Sequence, residues 1–327
     1  MISNFLTKAK GFVTQYPRVI ALVIVTVGVL WGLGIFGTQA AWYSSTGDGP
    51  TWQYRQKITI DADQIDSDLT DFPVYLDLAD FGPDFFSNVK NDGGDIRIAK
   101  SDGTTELARE VVSINTASST GEVHFKADNL SSTIDNNFYI YYGSDGATAY
   151  ADTDTYGAQN VWTDTYLAVY HGGGAADSTN NQRTAAGIGG AAAGGATGQL
   201  GVGAELSGSS QGFQTADVSG IAGLSAFTVS MWYESDAVGN DRGLYSLDDN
   251  GVTANADNWT RARFDAAGFS GDGTNVLKLV VRNQAGTFEI IETATGDATT
   301  NWTLFHHRWS AGSVQKASLN GVLAVNT

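Results

Sequence analysis

The sequence predicts an all-β protein, with two β-modules in series behind one N-terminal transmembrane helix. Three observations point there. Apolar and polar residues alternate at period two through most of the chain, as half-buried strands require. The composition, with 40 glycines, only 4 prolines and 11% aromatics, suits strands joined by glycine turns. One run, Val19 to Phe36, holds 18 residues without a charge or a proline, which is long enough to span a bilayer. At 327 residues the chain can build two domains, each with its own core.

Lys8, Lys10 and Arg18 precede the apolar run, and no acidic residue occurs before Asp48. The positive-inside rule therefore places residues 1–18 in the cytoplasm. Residues 19–41 form a signal anchor, with Trp31 as an interfacial aromatic, and 42–51 a short linker. A cleaved signal peptide competes with the anchor, because Thr38-Gln39-Ala40 has the small residues that cleavage needs; the long apolar core and long leader favour the anchor. Either way, the bulk of the chain is exported.

Beyond the run, 15 basic residues face 35 acidic ones, a net charge of −20. Such a surface repels phosphate backbones and excludes nucleic acid as a partner. There are no cysteines, so disulfides, thiolate metal sites and cysteine nucleophiles are excluded.

The first module, 52–152, starts at Trp52-Gln53-Tyr54-Arg55, where the chain settles into alternation with Ile58 and Ile60 on one face. In "FPVYLDL", Phe72, Val74, Leu76 and Leu78 share a face, and Phe138, Ile140 and Tyr142 do so in "NFYIYYGS". "EVHFKA" alternates as well. Two Asp-Gly pairs, at 92–93 and 102–103, flank the strand Asp95–Lys100, and the second reads as a hairpin turn. One dry face per sheet implies a sandwich.

The second module, 160–327, offers strands at "AELSG", "FTVSMWYES", "RGLYSLDD", "TRARFDA", "VLKLVVRN", "TFEIIETA", "WTLFHHRWS" and "KASLNGVLAV". Asn320-Gly321 supplies a tight hairpin turn. Residues 185–203 are rich in Gly and Ala and are expected to form a flexible loop.

Two resemblances follow from these stretches. "WQYRQKITID", "LTDFPVYLDL", "DGGDIRIAKSDGTTELAREV" and "FYIYYGS", in that order, resemble a bacterial domain of unknown function. The resemblance implies an exported protein, sometimes beside MotA/TolQ/ExbB-type proton-channel domains, and implies no reaction. "DST" at 177–179, "GAELSGSSQGF", "FTVSMWY", "NWTLFHHRWS" and "LNGVLA" resemble a laminin-G-like, concanavalin A-type jelly roll. That fold closes with a further hairpin and strand, so the resemblance implies that the jelly roll is incomplete at residue 327.

Candidate chemistry is sparse. Glycosidases of the concanavalin A type set two carboxylates across the scissile bond. Glu289 and Glu292 are an odd number of residues apart, which places them on opposite faces of a strand. Of the four histidines, His306 and His307 are adjacent and face opposite ways, while His124 and His171 read as packing or strand-end residues. Calcium is the expected cofactor, held by Asp177 and Asn180 in one loop or by Asp248, Asp249 and Asn250 in another. Asx turns that satisfy their own backbone are the alternative for both loops. Trp259, in a polar stretch, is the expected ligand-stacking aromatic.

The sequence thus describes a membrane-anchored envelope protein that binds a glycan or a surface protein without catalysis, through the laminin-G-like module. A structural or sensory ectodomain of an ExbB/TolQ-like transport complex is the second reading, and a glycoside hydrolase the third.

Overall fold

Tyr54–Ile60 forms β1, and its alternation buries Ile58 and Ile60 completely. In this computed structural model the described residues are 51–163, 165–172, 174–192, 194–207, 210–215, 224–237, 242–248, 259–265, 275–282, 288–311 and 315–326. The expected anchor at 19–41 lies outside them. Among the described residues no helix is long and apolar enough to cross a membrane. They are all-β apart from one short α-helix, α1 (Gly82–Asn88), which carries Pro83 in its first turn and buries Phe85 and Phe86.

The chain divides between Ala216 and Asp217 into two compact units. In the first, β2 (Leu69–Asp77), β3 (Arg97–Lys100), β4 (Glu106–Leu107), β5 (Arg109–Asn115), β6 (Thr120–Leu130) and β7 (Asn136–Tyr142) join β1. They make a four-stranded sheet in the order β1-β7-β3-β4 and a three-stranded sheet in the order β2-β6-β5, antiparallel throughout. Between them lies the core of Ile58, Val74, Leu76, Phe85, Phe125 and Ile140, among others. The expected inward faces hold: Val74, Leu76, Leu78, Phe138, Ile140 and Tyr142 are buried, and Phe72 packs against the core. The hairpin at Asp102-Gly103 joins β3 to β4. Gly103 has a positive φ of 71°, and Asp102 accepts from the Thr105 hydroxyl and from the amides of Thr105 and Thr104, which hold its carboxyl down at about 2.

The opening aromatics are structural. Trp52 Nε1 donates to the Asp95 carbonyl and the Arg97 guanidinium lies 5.1 Å over its ring. Arg55 covers Tyr139 at 4.6 Å.

The first unit runs past the expected module end at 152. Val161 and Trp162 pack on Ala108, and the chain then crosses the outer face of the β2-β6-β5 sheet. The stretch 185–203, expected as a flexible loop, instead contributes β8 (Ala186–Ile188), β9 (Gly195–Thr197) and β10 (Val202–Ala204). With β11 (Gly212–Gln214) they form two small antiparallel pairs, β8 with β11 and β9 with β10. Backbone pairing here needs no large side chains, so low complexity did not preclude it.

The second unit holds β12 (Ala226–Tyr233), β13 (Arg242–Asp248), β14 (Trp259–Asp265), β15 (Val276–Arg282), β16 (Phe288–Glu292), β17 (Thr303–Ser310), β18 (Lys316–Leu319) and β19 (Val322–Asn326). Two four-stranded sheets result, β12-β17-β18-β19 and β13-β14-β15-β16. Tyr233, Phe305 and Ala317 from the first meet Ala262, Phe264, Leu277, Leu279 and Ile291 from the second in one core. Asn320 and Gly321 both have positive φ, 48° and 81°, which is the geometry of the expected tight turn between β18 and β19.

Candidate functional site

The outer face of the three-stranded sheet explains itself by alternation. On β6, Val123, Phe125 and Ala127 point into the core, so Glu122, His124 and Lys126 point out. His124 stands opposite Tyr75 of β2 on one side and Glu110 of β5 on the other. Polar residues on such a face would normally meet water. Here the segment 161–183 covers them, and Glu122 and His124 are buried.

Four groups converge beneath that cover. His124 Nε2 lies 2.9 Å from Glu122 Oε1, and His171 Nδ1 lies 3.5 Å from the same oxygen. The other nitrogen of His171, Nε2, lies 3.2 Å from Glu110 Oε2. Glu110 also accepts from Trp162 Nε1 and from Ser178 Oγ, each at 2.5 Å. The rings of His124 and His171 are 4.6 Å apart, and Trp162 packs against both.

The electrostatics follow from who faces whom. Burial alone would push the His171 imidazole down. Its hydrogen bonds to Glu110 and Glu122 outweigh that and hold it up at about 9. Burial would likewise raise Glu122, but its two histidine partners hold it at about 2, and Glu110 is lowered by His171, Ser178 and Trp162. His124 goes the other way, pushed down chiefly by burial. The cationic charge therefore sits on His171, the ring with a carboxylate on each side.

The cover is itself well built. Asp177 Oδ1 accepts from the amides of Val169 and Thr179, and Oδ2 from the Arg183 amide and the Thr179 hydroxyl. Both oxygens of the expected calcium ligand thus accept hydrogen bonds within its own loop, and Asn180, expected beside it, is exposed to solvent. Asp249 and Asn250 lie outside the described residues, as do the side chains of Asp248 and Trp259. Glu289 and Glu292 part company as expected: Glu289 accepts from Trp309 at 3.4 Å, and Glu292 pairs with Lys278 at 2.9 Å.

Beside the cluster lies a cleft of about 250 Å³. Asp92, Arg109, Tyr150, Asp152, Gln159 and Asp177 are among its lining residues, and Glu110 and Ser178 form the edge shared with the cluster. Tyr150 is held by the guanidinium groups of Arg97 and Arg109, 4.2 and 4.9 Å from its ring centre.

Sequence reasoning treated His124 and His171 separately and did not single out Glu110 or Glu122. Glu122-x-His124 at period two was the available signal, since it puts both on one strand face. Nothing local reports the arrival of His171, 47 residues later.

A family model described as "Domain of unknown function (DUF2341)" matches residues 92–159. This supports the expected bacterial domain of unknown function. The match spans β3 to β7 and so includes Glu110, Glu122 and His124, while Trp162, His171 and Ser178 fall after it. No curated protein matches the chain, and no solved structure does.

Proposed function

We propose that this is an exported, membrane-anchored envelope protein that recognises a glycan or a polar surface of another envelope protein, without catalysis. The observation that carries the reading is the cleft on the first unit. It is small, close to the size of one or two sugar rings, and its rim carries hydrogen-bonding groups, notably Asp152 and Gln159 from the turns that follow β7, beside Arg109 and Glu110 of β5. Convergent polar groups in a concave site are what a hydroxyl-rich ligand needs. The second unit is read as the laminin-G-like jelly roll. Its two facing antiparallel sheets support that reading, and a fold of this kind hosts many binding roles.

The test is an array of envelope glycans together with cross-linking to envelope proteins, using the full chain and an Asp152→Ala/Gln159→Ala variant. Binding by the native chain that falls at least tenfold in the variant supports the cleft. Equal binding by both moves recognition away from it, and turnover of any bound polysaccharide overturns the non-catalytic reading.

A further inference from the structure

We infer that Glu122, His124 and His171 form a binding site for one first-row divalent metal ion, zinc foremost, which fastens the covering segment to the β2-β6-β5 sheet. The inference does not depend on what the cleft binds. Each of the three residues offers one donor atom, and these atoms all lie within 4.8 Å of one another. Two of the donor–donor distances are 2.9 and 3.5 Å. Four donors placed tetrahedrally at zinc bond lengths lie about 3.3 Å apart, so small side-chain adjustments bring this set into place.

The surroundings are those of a metal site. A histidine that ligates through one nitrogen generally donates its other N–H to a carboxylate, which orients the ring. His171 does this: Nδ1 faces the donor set and Nε2 faces Glu110 at 3.2 Å. Glu110 is fixed in turn by Trp162 and Ser178. Donors come from one strand, β6, and from the cover. Glu122 and His124 leave β6 two residues apart on one face, and His171 descends from the segment above.

Charge points the same way. Among the described residues, the ion-pair partners of the half-buried Glu110 and the buried Glu122 are imidazoles alone. Two carboxylates with no lysine or arginine between them favour a cation, and a bound zinc would take over that role from the His171 imidazolium, whose Nδ1 proton it displaces. Two imidazoles and one carboxylate suit zinc and its neighbours far better than calcium, which takes six to eight oxygens. Three protein ligands leave a fourth position for water.

The full chain, stripped with a chelator and then titrated with zinc, should take up one ion. Cobalt(II) should give the visible absorption of a low-coordinate nitrogen–oxygen site, and zinc should bleach it. His171→Ala should weaken zinc binding at least a hundredfold. The near-isosteric Glu110→Gln should weaken it about 10- to 100-fold, since it touches only the orienting bond. Zinc should also slow hydrogen exchange across residues 165–185 in the native chain and leave His171→Ala unchanged. Failure of the stripped chain to take up zinc or cobalt overturns the inference. So does wild-type zinc affinity in both His171→Ala and His124→Ala, or protection of 165–185 by calcium but not by zinc.

Discussion

Each unit holds a histidine in a hydrogen-bonded network, and the two networks are opposites. In the first, His171 lies between Glu110 and Glu122 and is held up at about 9. In the second, His307 accepts from the Tyr245 hydroxyl at Nδ1 and faces the Gln315 amide oxygen, 2.9 Å from Nε2. All its partners are neutral, and burial pushes it down to about 4. Both rings are well shielded from water, so burial does not distinguish them. Partner charge does: a carboxylate stabilises the imidazolium, while an amide oxygen or a hydroxyl satisfies the neutral ring.

The comparison can be broken most strongly at Glu110. Glu110→Ala leaves the Trp162 and His171 N–H groups and the Ser178 hydroxyl without their acceptor. Removing one side of a buried ion pair costs about 3–5 kcal/mol. Hydrogen-exchange mass spectrometry on the full chain should show 161–183 and β5 opening, with β12–β19 unaffected.

Acid should act on the other unit. His307 has a folded value of about 4 against an ordinary 6.5, so the unfolded chain takes up its proton first. The stabilisation is fully present above pH 6.5 and is lost as pH falls from there to about 4, on the order of 3 kcal/mol. Exchange at β17 and β18 should accelerate over that window, and Gln315→Leu, which removes the only partner that favours the charged ring, should not abolish the effect.

A subtler change would turn one network into the other. Gln315→Glu places a carboxylate against His307 and should raise its titration midpoint by at least one unit, worth about 1.4 kcal/mol, as read by NMR of the imidazole protons. An unchanged midpoint would show that burial, not partner charge, sets His307.

The smallest effect is expected next door. His306 is buried, and among the described residues neither of its ring nitrogens has a hydrogen-bond partner. Replacing an unsatisfied polar group with an apolar one of similar size is nearly neutral or stabilising. His306→Leu should therefore shift the denaturation midpoint by about 1 kcal/mol or less, in the stabilising direction.

Much of the architecture was legible before any coordinates. Most strands of the first sandwich and of the second unit, the two glycine hairpins and the inward faces of β1, β2 and β7 follow from alternation and turn chemistry, which are local; the short strands β8–β11 do not. The site was legible only in fragments. "EVH" marks a polar strand face, yet nothing near it says that the face will be covered. Asp177 reads as a calcium ligand or as the head of an Asx turn, because a metal loop and an Asx turn draw on the same residues. The chain's backbone geometry is what engages both its oxygens.

Residue order by itself determined the all-β character, the strand registers' dry faces, the acidic surface and the expectation of export. These rest on periodicity and composition, which act within a few residues. Only the tertiary structure decided that 161–183 lies over the β2-β6-β5 sheet, and so that His171 meets Glu110, Glu122 and His124. A contact between residues 47 positions apart depends on where the chain packs its apolar anchors, here Val161 and Trp162 against Ala108. Burial then turned an ordinary polar strand face into a cluster with chemistry of its own.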